Sequence, residues 1–531
     1  MHDCDVIVVG AGSAGSALAG RLSADPRVRV LLLEAGPEAS SPYIRIPLGF
    51  GRTLADPKLM WYYPTEPEAG TGNASRIWLR GKVLGGSSAV NGMVYAHGAP
   101  RDYDDWEAGG ATGWGWETFR RAFTEIEDHE LGPGPARGSG GPLHVSVQKI
   151  RTPVTDAILE ACRAQGTPVR EDLNDPAHEG IAYSPLTLKN GRRVSAYEAF
   201  IRPNRARPNL RIVTDALVER VVIEGGRAVG VDVRVAGGKK RFTAAREVVI
   251  SAGTVGSPKI LQLSGFGPAA HLQSLGVQVV HDLPGVGQNL SEHKAIWNDY
   301  RLSVPYSHNA ALRGWRLPLT ALRCLLFRSG TMASSVDMNG FVRTRPGLDR
   351  ADAQISFWAL TAAKDSATFT TEDFPAMNAG GWMLRPKSRG SIMIRSANPE
   401  DLPVIRPNFL THDEDRQILI GLFRYMRRVF EHPAVKPFIA AETLPGTEVQ
   451  SDDEIIESCL HGENGFHATG TCRMGSDAAA VVDPRLRVNG VVALRVADAS
   501  VMPTQVSAGV NASAIALGWR AAALIAEDLR G

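Results

Sequence analysis

The sequence predicts an α/β protein: a nucleotide-binding domain assembled from separated stretches of chain, and a second, α+β domain built on an antiparallel sheet. Three observations carry that prediction. A β-branched run, Val6 to Val9, leads straight into a glycine-rich turn and an Ala/Leu-rich helix. Further Gly/Ser/Pro clusters recur far down the chain, at residues 80–98 and 251–268. Between residues 337 and 406, the runs NGFVRT, AQISFWAL, GWMLRP and SIMIRS read as strands of another sheet, capped by helices.

The amino-terminal unit, DVIVVGAGSAGSALAGRLSADPRVRVLLLEAG, reads strand, turn, helix, strand. An unbroken apolar run such as Val6–Val9 marks a strand buried on both faces. Gly10, Gly12 and Gly15 have GxGxxG spacing, with Ser13 and Ala14 inside the motif. The first glycine permits the tight turn, the second a close approach to a pyrophosphate, the third close packing of helix on strand. The helix N-terminus then offers free N–H groups and a positive dipole end to phosphate. The second strand ends at Glu34–Ala35, where a carboxylate can accept from ribose hydroxyls. Together these read as a Rossmann-like unit, and the acid favours an unphosphorylated ribose, hence FAD or NAD over NADP.

Two later segments extend the site. RGKVLGGSSAVNGMVYAHG, from Arg80, offers Gly85, Gly86 and Ser87, small residues whose backbone can lie against a flat ring or a phosphate. SAGTVGSPKILQLSGFGP follows a buried strand, Glu247 to Ile250, and places Ala252 and Gly253 at its carboxyl end, where open parallel sheets bind ligands. Three such loops suggest one long cofactor lying across a discontinuous domain. Near the carboxyl end, HATGTCRMG (467–475) has no helical or strand period. Taken alone, its histidine reads as a solvated or core side chain.

Composition narrows the class. The 531 residues supply two to four domains' worth of chain. Lys+Arg exceed Asp+Glu by 58 − 56 = 2, so no strong field argues for nucleic acid. The five cysteines are scattered, with no CxxC, which fits a reducing compartment and neither a disulfide framework nor a metal site. No apolar run reaches the roughly 18 residues of a membrane span. No basic, apolar leader precedes the first strand. A cytoplasmic protein without an integral membrane segment is expected.

With these motifs in hand, the chain resembles the glucose–methanol–choline (GMC) family of FAD-dependent oxidoreductases over essentially its whole length. The carriers are GAGSAG with Glu34, the 80–98 and 251–268 segments, PGVGQNL (284–290), HATGTCRMG and LRVADASVMP (494–503). It is most similar to bacterial alcohol and choline-dehydrogenase-like members. The resemblance implies a discontinuous Rossmann-like FAD-binding domain (1–155, 195–300 and 450–531, the last with the catalytic loop) and a substrate domain (156–194 and 301–449).

It also implies roles. His467 would lie beside the flavin's reactive edge as general base. Asn511, in AGVNASA, would be its paired amide, although the family's usual NTNAPT is altered at Gly509, Ser513 and Ala514. Gly10, Gly12, Ser13, Ala14 and Gly15 would receive the pyrophosphate, and Glu34 with Ala35 the adenosine ribose. Arg80, Val83, Gly85, Gly86, Ser87, Asn91, Gly92, Met93 and Val94 would line the flavin and ribityl chain. Val218 would read the adenine edge; Ala252, Gly253, Asp498, Ala499 and Ala512 would complete the cradle. Val90 stands where some relatives attach FAD through a histidine, so FAD is expected to be non-covalent. Cys472 reads as a buried structural thiol, Arg473 as a salt-bridge partner and His461 as solvated.

Imidazole, with an ordinary pKa near 6.5, can take an alcohol's proton near neutral pH, and a neighbouring amide can hold the same oxygen. The expected reaction is oxidation of an aromatic or medium-chain primary alcohol to the aldehyde, with hydride passing to flavin N5. Electrons would go on to a quinone-like acceptor or O2, a dehydrogenase being slightly favoured over an oxidase. The rival reading is a cyanohydrin-type lyase with redox-silent FAD on the same scaffold. Trp358, Trp382 and Phe466, with Phe357, are candidates for an apolar substrate pocket; Asp337 is a candidate partner for a cationic substrate. Met60 to Pro67, aromatic and Pro-bounded, fits a lid edge or core equally well.

Overall fold

A computed structural model describes residues 2–363, 370–462 and 464–530. Strand β1 (Cys4–Val9), helix α1 (Ser13–Leu22) and β2 (Val30–Leu33) open the chain. β3 (Gly180–Tyr183) follows, then β4 (Leu210–Val213), β5 (Leu217–Glu224), β6 (Arg227–Val235) and β7 (Gly238–Ile250), which leads into α2 (Gly253–Leu263). Next come β8 (Ala295–Leu302), α3 (Arg316–Phe327), β9 (Met338–Val342), β10 (Ala353–Trp358) and β11 (Ala376–Met383). α4 (Asp413–Glu431), β12 (Ile439–Leu444), β13 (Leu494–Val496) and α5 (Asn511–Arg530) complete the set.

The first sheet has the parallel order β4–β2–β1–β7–β13, with β6 and β5 added antiparallel along the other half of β7. Val6–Val9 and Val30–Leu33 are all but inaccessible, as unbroken apolar strands in a doubly covered sheet must be. α1 lies against α5, and the contact is close because Gly518 has no side chain: a Cβ there would stand 2.2 Å from the Ala14 carbonyl. Helix and sheet thus bring the carboxyl ends of β1, β2, β7 and β13 to one edge, with residues 10, 34, 251 and 497 just beyond them.

The second sheet is antiparallel, in the order β12–β8–β11–β10–β9–β3, and α4 packs across it. NGFVRT, AQISFWAL and GWMLRP supply β9, β10 and the end of β11. SIMIRS does not join them: Ser391–Met393 pairs with Val404–Arg406 in a separate hairpin. A boundary at residue 300 would cut β8, whose pairings are all within the antiparallel sheet, so the second domain's long stretch begins near 295. Met60–Pro64 forms a hairpin with Ile77–Gly81, which carries Arg80. Among the described residues no helix is long and apolar enough to cross a membrane, and no cluster of His, Cys, Asp or Glu could hold a metal.

Candidate active site

Two glycine loops meet at the carboxyl edge of the parallel sheet. Gly10 has φ +100°, and a Cβ on it would sit 2.4 Å from the Ser251 carbonyl oxygen, so β1 must turn here through glycine. Gly86 faces Gly12 so closely that its Cβ would lie 2.7 Å from the Gly12 Cα. The Gly85 N–H donates to the Ala11 carbonyl at 2.8 Å, tying the second loop to the first. Val83 is buried behind them. Ser87 Oγ accepts from the Gly81 N–H, and Asn91 Oδ1 accepts from the Met93 N–H and the Arg193 guanidinium.

Glu34 stands at the end of β2, its two oxygens accepting from the Ala11 and Gly36 N–H groups at 2.9 and 3.0 Å. Burial raises its pKa to about 7 despite those donors. Asp215, whose N–H bonds the Gly36 carbonyl, brings Val218 to this end of the sheet. Asp498 receives the Gly253 N–H and Ser257 hydroxyl on one oxygen and the Ser500 N–H on the other, capping the turn at Ala499.

The fit of a dinucleotide can be judged from the space these residues leave. A Cβ at Gly12, Gly92 or Gly253 would meet nothing within 4 Å, so the loops border open volume. α1 begins without a side-chain cap and without an acid in its first turn, leaving its N–H groups for an anion. An uncapped helix start, a carboxylate at the neighbouring strand end and glycine-lined space suit FAD. These residues would hold its pyrophosphate, ribose and ring respectively.

His467 lies on a loop tied to the start of α2, next to Gly253. Its loop is pinned on both sides: Thr469 exchanges backbone hydrogen bonds with Ser291, and the Gln505 amide donates to the His467 carbonyl at 2.9 Å. Thr254 Oγ1 of α2 donates to the Ala468 carbonyl, while Thr471 Oγ1 donates to the Thr254 carbonyl. Phe466, immediately before it, has φ +58°, and Met93 has φ +66°. Left-handed backbone at two bulky residues is strain held by its surroundings, a feature that clusters at ligand sites.

The ring of His467 packs edge-on to Trp382 (centroids 5.1 Å) and to His293 (5.2 Å). The two Nδ1 atoms of His467 and His293 are 3.0 Å apart, and His293 Nε2 lies 3.1 Å from the Leu384 carbonyl oxygen. A carbonyl only accepts, so His293 carries its proton on Nε2. Burial holds His293 down to about 3, hence neutral, and its Nδ1 is bare. That atom accepts from His467 Nδ1–H, which leaves His467 Nε2 with a free lone pair. Burial, with the Arg80 guanidinium as a positive neighbour, pushes the His467 pKa well below its ordinary value.

Glu292 joins the two segments, one oxygen accepting from both histidine backbone N–H groups, His467 at 2.7 Å and His293 at 2.8 Å. The Arg80 guanidinium stands 3.5 Å from the other oxygen. Burial raises Glu292 to about 7 and lowers Arg80. Glu292 and His293 escape the sequence reading because they follow PGVGQNL directly, as SEHK at the start of an otherwise ordinary strand. The acid–histidine pair was the available signal.

Several expectations need correction. Asn511 is not turned to His467: its Oδ1 accepts from Ser13 Oγ at 2.7 Å, joining the first turns of α5 and α1, with Ala512 buried beside it. The position that abuts His467 Nε2 is Gly509, where a Cβ would stand 3.1 Å away. Only Val510 separates Gly509 from the helix start at Asn511, so the amide at 511 is already drawn into the helix seam. Asp337 cannot meet a cation freely, since it accepts from the Ala359 N–H at 2.7 Å and from Gln148, and His308 lies 3.6 Å away. Phe357 is wholly buried core, and Trp358 packs on Phe50. Trp382, beside His467, has an indole N–H without a partner among the described residues. Val94 bridges to Leu186, and Val90 is buried. Cys472 is a buried free thiol, Arg473 pairs with Asp477 at 2.6 Å, and His461 is mostly exposed.

Comparison with known proteins shows the family. The GMC oxidoreductase family models match residues 4–295 and 386–518. The mitochondrial choline dehydrogenase of Mus musculus is 39% identical over 530 residues, covering 98% of this chain and 89% of the relative. The oxygen-dependent choline dehydrogenase of Brucella anthropi is 38% identical over 524 residues, covering 98% and 95%. Among solved structures, pyridoxine 4-oxidase from Mesorbium loti superposes with a TM-score of 0.89 at 30% identity, covering 99% of each chain. The chain belongs to the GMC oxidoreductase family, FAD-dependent enzymes acting on CH–OH donors.

Proposed function

We propose that this enzyme oxidises an aromatic or medium-chain primary alcohol to the aldehyde, with His467 Nε2 taking the hydroxyl proton. The observation that carries the reading is the directed histidine pair, which leaves one imidazole nitrogen of His467 bare on a loop bonded to Thr254 beside Gly253. FAD, held non-covalently by the residues named above, would supply the hydride acceptor. His467 is neutral at physiological pH because its environment disfavours the cation, so its lone pair is available to every incoming substrate. Once it gains the proton, Nδ1–H remains directed at His293, and Glu292 holds the His467 backbone N–H.

Trp382 and Phe466 give the pocket an apolar wall, which suits an uncharged substrate. The relatives' names raise choline as a candidate, but Asp337 is occupied and Glu292 is paired with Arg80, so neither offers a free counter-charge to a quaternary ammonium. Electrons pass to a quinone-like acceptor or to O2, a dehydrogenase being the favoured form. The test is anaerobic mixing of the holoenzyme with benzyl alcohol, octanol and choline. Fast bleaching of the visible flavin absorption by the first two supports the proposal. An unchanged spectrum with aldehyde released from a cyanohydrin supports the lyase instead.

A further inference from the structure

Helix α3 is unlike every other helix of the fold, because its apolar side chains face outward. Of the twelve large hydrophobic side chains exposed among the described residues, seven fall between Trp315 and Phe327. Trp315 and Phe327 are each 72% exposed, and Leu325 and Leu326 each 63%. Within α3 only Cys324 is buried. The helix rests on the short turns that flank it, Asn309–Leu312 and Thr331–Ala333. A cluster of outward apolar side chains of this kind marks an interaction site.

The charged side chains carried by this stretch of chain have one sign. Arg313, Arg316, Arg323 and Arg328 are all exposed, and the chain carries no Asp or Glu between Asp299 and Asp337. None of the four has an acidic partner among the described residues; Arg316 lies over the Trp315 ring, and Arg323 reaches only Ser329. A two-fold interface with a second copy would set this arginine rim against itself. An anionic lipid surface would instead meet both features together, its headgroups the arginines and its acyl boundary the Leu, Trp and Phe side chains. A helix of 12 residues is too short to span a bilayer and has the length to lie in its surface.

We propose that α3 docks this enzyme onto anionic phospholipid bilayers as an interfacial helix. The site of docking is close to the catalytic cleft along the chain. Immediately after the Thr331–Ala333 turn, Ser334 accepts from the Gln148 amide, and Ser335 Oγ donates to the carbonyl of Gly92, one of the residues that border the open volume. A membrane-dissolved alcohol or electron acceptor would therefore meet the protein beside its cleft. The docking itself does not depend on the catalytic reading.

The test is co-sedimentation of purified holoenzyme with vesicles of phosphatidylcholine alone or mixed equally with phosphatidylglycerol. The parent protein is expected to bind the anionic vesicles at least about tenfold more strongly, with the difference shrinking in high salt. Leu325→Glu with Phe327→Glu is expected to abolish binding while leaving solution turnover unchanged; these exposed positions carry little of the fold. Arg316→Glu with Arg323→Glu is expected to remove the preference for the anionic lipid. Binding unaffected by either pair overturns the proposal, as does absence of binding by the parent. So does a stable dimer, seen by light scattering, that the Leu325/Phe327 pair dissociates.

Discussion

His467 and His293 face each other through their Nδ1 atoms at 3.0 Å, and the far nitrogen of His293 is anchored to the Leu384 carbonyl. The pair is a short wire with a fixed sense. One backbone oxygen selects the tautomer of the first ring, the first ring selects that of the second, and the reactive nitrogen is left bare. A positioning residue of this kind acts through geometry and protonation, and never touches substrate.

Replacing His293 removes the acceptor for His467 Nδ1–H. His293→Ala is expected to lower the rate of alcohol-driven flavin reduction roughly 10²-fold, the lower end of what a general base contributes. His293→Gln, whose amide oxygen can still accept, is expected to recover part of that loss, with FAD content unchanged in both. Stopped-flow reduction measures it. Equal rates in parent and Ala variant would show that His467 needs no orienting partner.

Gly465 permits the approach of the two rings. A Cβ there would stand 2.7 Å from His467 Nδ1 and 2.9 Å from the His293 Cβ. Gly465→Ala should therefore cost activity by displacing His467, while thermal stability falls by about 1–3 kcal/mol, the usual effect of overpacking. A fully active Ala variant would contradict the geometry.

The pH dependence follows from the direction of the His293 shift. Its folded value, about 3, lies below the ordinary 6.5. The unfolded chain therefore binds the proton first as pH falls. The stabilisation is complete above pH 6.5 and drains away toward pH 3, by at most about 1.4 kcal/mol per pH unit. Glu34 and Glu292, raised to about 7 from 4.5, run the opposite way: their contribution is complete below 4.5 and lost as pH rises through 7. Comparing the parent with His293→Gln isolates the histidine. The parent's advantage in Tm should shrink as pH falls from 6.5, and an advantage constant with pH would refute the buried neutral state.

Asn511 joins α5 to Ser13 of α1 rather than to the base. Asn511→Ala should cost about 1 kcal/mol of stability for the lost hydrogen bond. It should also weaken FAD retention while leaving the reduction rate of the FAD-loaded fraction within a few fold. A loss of roughly 10²-fold in that rate would restore the amide to the proton-transfer site.

The parallel sheet and its cradle could be read from sequence because their signals are local. Val6–Val9, the glycines and Glu34 sit within one strand–helix–strand unit, and each residue type answers a backbone demand that short-range physics states. The histidine pair could not be read that way. His293 and His467 are 174 positions apart, and the backbone bridges Ser291–Thr469 and Lys294–Asn464 bring them together. Asn511 misled for a related reason: matching the loop by residue type preferred an amide, whereas the start of α5 fixes which residue faces inward. The strand at 391–393 was real, but its partner lay a few residues on, in its own hairpin.

The most direct measurement is anaerobic reduction of the bound flavin by a primary alcohol in His467→Ala. The account predicts a variant that purifies yellow, with FAD content like the parent's, and whose absorption bleaches at least roughly 10²-fold more slowly. Bleaching at the parent's rate would mean that the proton leaves by another route and that His467 is not the base.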